Sequence, residues 1–191
     1  MNVIINYLLA MLPFMALVLP LHIWWRCNLY RRQNRKVNIL REGVMCLFIL
    51  FLGGLAGHTL LPRLSIEAGR LHLSYGGFGG VNLIPFHFVR EIYVQAVGKG
   101  DTAYFIINFL GNIGIFAPIG LMLPLLWRLK GWQVVLMGAG ISLFIEVAQL
   151  FLPRSTDIDD LILNALGVLL GLLCYRILRK LCPAFTSKCK K

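Results

Sequence analysis

Residues 102–127 read TAYFIINFLGNIGIFAPIGLMLPLLW, a run without one charged side chain. An α-helix rises about 1.5 Å per residue, so about 20 such residues cross the hydrocarbon layer of a bilayer. The stretch therefore predicts a membrane-spanning helix rather than one face of a soluble core. Within it stand Asn108 and Asn112, spaced i and i+4 so that both carboxamides fall on one helix face. An amide facing lipid is costly, so that face needs a polar neighbour elsewhere in the chain.

Runs of the same kind flank this one on both sides. They predict spans near 4–25, 43–62, 103–127, 132–152 and 159–178. The whole chain agrees: 58% of its 191 residues are hydrophobic and 14% charged, and the mean hydropathy is +0.75. A soluble domain carries about 25% charged residues. The expected fold class is an all-α integral membrane protein: a bundle of about five transmembrane helices with an interfacial or re-entrant outer segment. Three stretches follow. Residues 1–62 hold two N-terminal spans and a basic loop, 63–178 hold the outer segment and three spans, and 179–191 form a basic tail. The first span lacks a basic leader and a small-residue cleavage site, so it reads as a reversed anchor rather than a cleaved signal peptide.

Most of the 19 Lys and Arg residues cluster in 26–41, in 128–130 and after 175. Basic loops stay cytoplasmic, which places the N-terminus outside and the C-terminus in the cytoplasm. The +11 net charge is then a topology signal and an attraction to the anionic inner leaflet, not a nucleic-acid footprint. The 5 Cys all fall in cytoplasmic segments or inner span ends, so free thiols are expected and no disulfides.

The one long outer loop, 63–101, begins with alternating residues that suggest a short hairpin over 64–74. A glycine-rich turn follows, then Asn82-Leu83-Ile84-Pro85-Phe86 in extended form. Residues 86–97 suggest a helix lying in the outer interface with its apolar face down and Arg90 opposite.

Polar residues recur inside the later spans. Glu146 and Gln149 lie near the outer end of the fourth span, on a face continued by Ser142 and Gly138. Arg154 precedes the fifth, where Asp157, Asp160, Asn164, Gly167 and Gly171 share one stripe at helical spacing. With the expected topology, all of these and Asn108 and Asn112 come to the outer half of the membrane, with Asn82 and Arg90 above them. Intramembrane carboxylates mark a site by default. Asn112 and the glycines also suit simple interhelical packing, and Asp159, off the stripe, suits a helix cap. Glu146, Asp157 and Asp160 offer hard oxygen ligands, but their spacing alone does not make a metal site. Ser142 has no histidine in register to activate it, and no nucleotide-binding loop occurs. Neither a cofactor nor a metal is expected, and no catalytic residue can be named.

Taken in order, Asn82-Leu83-Ile84-Pro85-Phe86, Asn108 through Gly111-Asn112 to Phe116-Ala117-Pro118-Ile119-Gly120, Glu146-x-x-Gln149, and Arg154-x-x-Asp157-x-Asp159-Asp160-x-x-x-Asn164-x-x-Gly167 resemble the VanZ-like family. The resemblance covers about residues 60–178. It implies a small bacterial inner-membrane protein. The family takes its name from a protein that gives low-level resistance to teicoplanin, a lipidated glycopeptide acting at the cell wall.

The first functional expectation is a non-enzymatic membrane protein. Its outer-leaflet polar pocket would bind a membrane lipid or lipid-linked envelope component through Asn82, Arg90, Asn108, Asn112, Glu146, Gln149, Arg154, Asp157, Asp160 and Asn164. The alternatives are an intramembrane hydrolase or transferase acting on lipid headgroups, and a structural or partner-binding subunit. Nucleic acid is not an expected partner, and the oligomeric state is open.

Overall fold

The computed structural model describes residues 2–33, 36–60, 63–67, 70–74, 80–92, 94, 109–152 and 156–190. Its order is α1 (Asn2–Gln33), α2 (Ile39–Leu60), β1 (Arg63–Glu67), β2 (Arg70–Ser74), β3 (Val81–Asn82) and α3 (His87–Ile92). There follow α4 (Gly111–Leu126), α5 (Gly131–Gln149), β4 (Thr156–Asp157), α6 (Ile158–Leu181) and α7 (Pro183–Cys189). The all-α expectation holds, and β1 and β2 form the expected hairpin, with Arg63 opposite Ser74 and Glu67 opposite Arg70.

Three described helices, α2, α5 and α6, are long and apolar enough to cross a membrane. The apolar α4 is shorter, and the first part of its expected span, 103–108, lies outside the described residues. Helix α1 runs unbroken over 32 residues. Of the expected interfacial helix over 86–97, His87–Ile92 is helical and most of the remainder lies outside the described residues.

Helices α4 and α6 pack closely because glycines let their backbones meet. A Cβ on Gly120 would collide with the Val168 carbonyl, and one on Gly167 or Gly171 with the carbonyl of Ile113 or Ala117. Such small-residue seams replace the hydrophobic driving force that lipid removes. Around them Phe116, Ile119, Leu126, Val134 and Val168 are fully buried. Gly138 of α5 makes room for the Val168 side chain, which locks α5 to the same seam.

Two clusters of charged residues lie at opposite ends of this bundle. At one end Arg26 of α1 holds both carboxylate oxygens of Glu42 on α2, and the Tyr30 hydroxyl donates to Glu42 Oε1 at 2.7 Å. Within the segment expected as a basic tail, α7 folds back on that end. The Asn38 amide donates to the Lys188 carbonyl at 2.8 Å, Lys190 Nζ donates to the Tyr175 hydroxyl at 2.5 Å, and Thr186 and Cys189 are buried. The acids Glu146, Asp157, Asp159 and Asp160 lie at the other end.

Candidate functional site

Helix α5 ends at this second end and α6 begins there, so the chain turns a corner. The two-residue strand β4 forms the turn's last step and pairs in parallel with β3, Val81 beside Thr156 and Asn82 beside Asp157. Asp157 is the N-cap of α6: it is extended, and its Oδ1 accepts the Asp159 N–H at 2.9 Å. This satisfies one of the amide donors that every helix start leaves open. The Asn82 amide donates to both Asp157 oxygens, at 3.1 and 3.2 Å, while Asn82 Oδ1 accepts the Ile84 N–H at 3.1 Å. One asparagine therefore ties the outer segment to the corner and turns its chain, the usual local use of that side chain.

Asp159, which its spacing suggested as a helix cap, does other work, since the cap of α6 is Asp157. Its carboxylate is 2% exposed and accepts two backbone donors, Phe86 N–H at 2.6 Å and Phe88 N–H at 2.7 Å. Helix α3 starts at His87, directly after Pro85-Phe86, and neither residue can cap it. That missing cap was the signal available in the sequence: an acceptor had to come from elsewhere. Phe86 takes a left-handed backbone conformation, φ 63°, strained for a bulky residue. The Asp159 clamp holds it there.

Two further acids complete the corner. Glu146, buried on α5, accepts the Asp157 N–H through Oε2 at 3.2 Å. Asp160 accepts the Asn112 amide of α4 at 2.5 Å. One turn deeper, the Asn164 amide of α6 donates to Ser142 Oγ of α5 at 2.9 Å. Asn164 is buried, and among the described residues its Oδ1 meets no hydrogen-bond donor.

The structure thus gathers Asn82, Asn112, Glu146, Asp157 and Asp160 within one hydrogen-bonded corner, with Asn164 beneath. Gln149 turns away from it, donating to the Thr59 carbonyl of α2 at 3.3 Å. Arg90 is exposed on α3. Asn108 and Arg154 lie outside the described residues. Among the described residues no group of three or more His, Cys, Asp or Glu side chains has an arrangement suited to holding a metal ion.

Beside this polar corner the same segment presents bare apolar side chains. Leu83, Ile84 and Phe86 are 68%, 66% and 61% exposed. A polar corner flanked by uncovered hydrophobic residues suits the boundary between headgroups and acyl chains.

A comparison with curated proteins and one with solved structures give no match. The VanZ/LLP1 family model matches residues 48–179. That stretch contains the Asn82–Asp157 tie, the Asp159 clamp, Glu146 and the glycine seam, and by it the chain belongs to the VanZ/LLP1 family.

Proposed function

We propose that this protein is a multi-pass protein of the bacterial inner membrane, five spans with the N-terminus outside, whose acid corner binds a membrane lipid or lipid-linked envelope component. The observation that carries this reading is the join between the two surfaces. Half-buried carboxylates of Asp157 and Asp160 sit beside exposed Leu83, Ile84 and Phe86. A lipid has both chemistries in one molecule, and a site that matches both orients it. In this reading Glu146 and Asp160 supply charge and Asn112 a hydrogen bond. Asn108 and Arg154 add to the site from neighbouring sequence, Arg154 as an internal counter-charge or a phosphate contact. The β3–α3 segment forms the roof, apolar face toward the leaflet and Arg90 toward the headgroups.

Holding an envelope lipid in the outer leaflet would change how a lipidated glycopeptide reaches its target, and so contribute to teicoplanin resistance. The reading is non-enzymatic.

The test is to purify the full chain from bacterial membranes and identify the lipids that stay bound by mass spectrometry. Wild-type protein should enrich one lipid class over its share of the membrane. Glu146→Gln and Asp160→Asn should both lose that enrichment while keeping the folded protein. Identical lipid profiles for all three would refute the proposal, and turnover of the retained lipid would replace it with the hydrolase or transferase reading.

A further inference from the structure

We infer that Arg128, Lys130 and Arg176, at the end of the bundle opposite the acid corner, clasp the headgroup of an anionic phospholipid that carries two phosphodiester groups. This site is separate from the acid corner and does not rest on the reading given to it.

Two of the three cations stand on the tight turn that joins α4 to α5. Trp127 ends α4 in extended form, and its carbonyl accepts the Leu129 N–H at 3.0 Å. The Lys130 N–H donates to Gln133 Oε1 at 2.8 Å, so the turn is fixed on both sides. The third cation arrives from α6. Gly131 leaves the space in which the Arg176 guanidinium rests: an added Cβ would stand 3.3 Å from Arg176 Nη2 and 3.4 Å from Leu172 Cδ2. Arg176 is thereby held beside Lys130, and all three cations are exposed.

Among the described residues the acid at this end is Glu42, which Arg26 holds, and none of the three cations has an acidic partner. Like charges held close repel, and an anion between them turns that repulsion into attraction. Basic residues at one end also orient a membrane protein. Orientation, however, asks only for charge near the boundary, not for cations of two elements brought to one glycine.

A guanidinium binds phosphate oxygens through paired N–H bonds, and an ammonium adds a point charge. One phosphodiester brings a single negative charge against three cations; two come closer to balance. The surroundings commit that anion to a lipid. Trp132, exposed next to Gly131, is the kind of ring that lies at headgroup depth. Leu136, one turn along α5 from Trp132, and Leu173, one turn along α6 from Arg176, are exposed as well. They give acyl chains an apolar path on both helices, which a soluble phosphate would not use. Basic pockets between membrane helices recognise such headgroups.

The experiment is native mass spectrometry of the full chain in detergent micelles, with cardiolipin or phosphatidylglycerol added and pyrophosphate as soluble competitor. Cardiolipin should be retained about tenfold over phosphatidylglycerol, the scale of one further charge-assisted contact. Arg176→Gln should abolish that preference. Gly131→Leu should weaken it too, because the new side chain displaces the guanidinium while every charge stays. The double variant Arg31→Gln/Arg32→Gln removes two exposed cations from the end of α1 and should keep the preference. A preference lost equally in that double variant and in Arg176→Gln would overturn the clasp in favour of diffuse attraction. Equal retention of both lipids by the wild type, or a preference untouched by Arg176→Gln or Gly131→Leu, would overturn it as well. Displacement of cardiolipin by pyrophosphate would give the site to a soluble phosphate and overturn the lipid assignment. Glu146 and Asp160 stay unchanged throughout, so none of these outcomes bears on the acid corner.

Discussion

Replacing Asp159 by Asn separates the clamp from the rest of the corner. In the wild type both carboxylate oxygens are used, one on Phe86 N–H at 2.6 Å and one on Phe88 N–H at 2.7 Å. Asparagine keeps one acceptor oxygen and puts an NH2 group where the other was, so one charge-assisted bond is lost and two donors face each other. A hydrogen bond to a charged group contributes about 1.5–3 kcal/mol. The left-handed Phe86 backbone adds roughly 1 kcal/mol of strain that the clamp no longer opposes fully. The β3–α3 segment should then open roughly ten- to a hundredfold more often, since each 1.4 kcal/mol is about a factor of ten. Arg90, exposed on α3, gives a trypsin site that reports this opening. When reclosing is fast relative to cutting, cleavage follows the open population. The assay digests the full chain in detergent and quantifies the fragment ending at Arg90, with cleavage after the exposed Arg179 on α6 as the internal control. Cleavage after Arg90 that is no faster in the variant than in the wild type would refute the clamp.

Two other outcomes follow from packing and from thiol chemistry. Gly171→Ala should lower the thermal midpoint in detergent by an amount equivalent to about 1–3 kcal/mol of overpacking. Its new methyl group meets the Ala117 carbonyl and the Leu121 amide, whereas Gly114→Ala, with nothing within 4 Å, should be harmless; equal midpoints for the two variants would contradict the α4–α6 seam. Cys189 is buried in α7, and desolvation pushes its thiol pKa up against the opposing pull of Arg41. A raised pKa means less thiolate at any given pH, so N-ethylmaleimide should modify the exposed Cys182 well before Cys189; equal rates by mass spectrometry would show that α7 does not dock.

Much of the corner was legible because helical periodicity and membrane depth act together. Glu146 near the end of one span, and Asp157, Asp160 and Asn164 on one face of the next, have to approach one another when a short turn joins the two helices. Asn112 on α4 then had the same polar depth to meet, and it reaches Asp160. Gln149 illustrates where spacing stops deciding. It lies near Glu146 on the helical wheel, but α5 sits between α2 and α6, and a small rotation sends its amide to the Thr59 carbonyl instead. Asp159 was hidden for a different reason. Its partners are backbone N–H groups more than seventy residues earlier in the chain, and backbone donors leave no mark in composition. The fold of Pro183–Cys189 escaped likewise, because its basic residues read as a tail while its packing rests on Thr186 and Cys189.

The acids of the corner divide by how fully their oxygens are used. Asp159 spends both on the outer segment, and Asp157 spends both on Asn82 and one also on the α6 cap. These two are fasteners: their described bonds hold the outer segment to the corner, and their loss should loosen the segment before it weakens binding. Glu146 and Asp160 have one described bond apiece. Burying such under-used carboxylates is costly unless something else meets them. A protein stabilised only by packing would do better with apolar residues at those two positions, since replacing buried charge by well-packed hydrophobic side chains is often neutral or favourable. Glu146→Leu and Asp160→Leu therefore discriminate between packing and binding. If the acids serve only the bundle, these variants should hold or raise the thermal midpoint and leave the lipid profile as it was. If they serve a ligand, the midpoint should hold in lipid-free micelles, and the stabilisation that added lipid gives to the wild type should disappear.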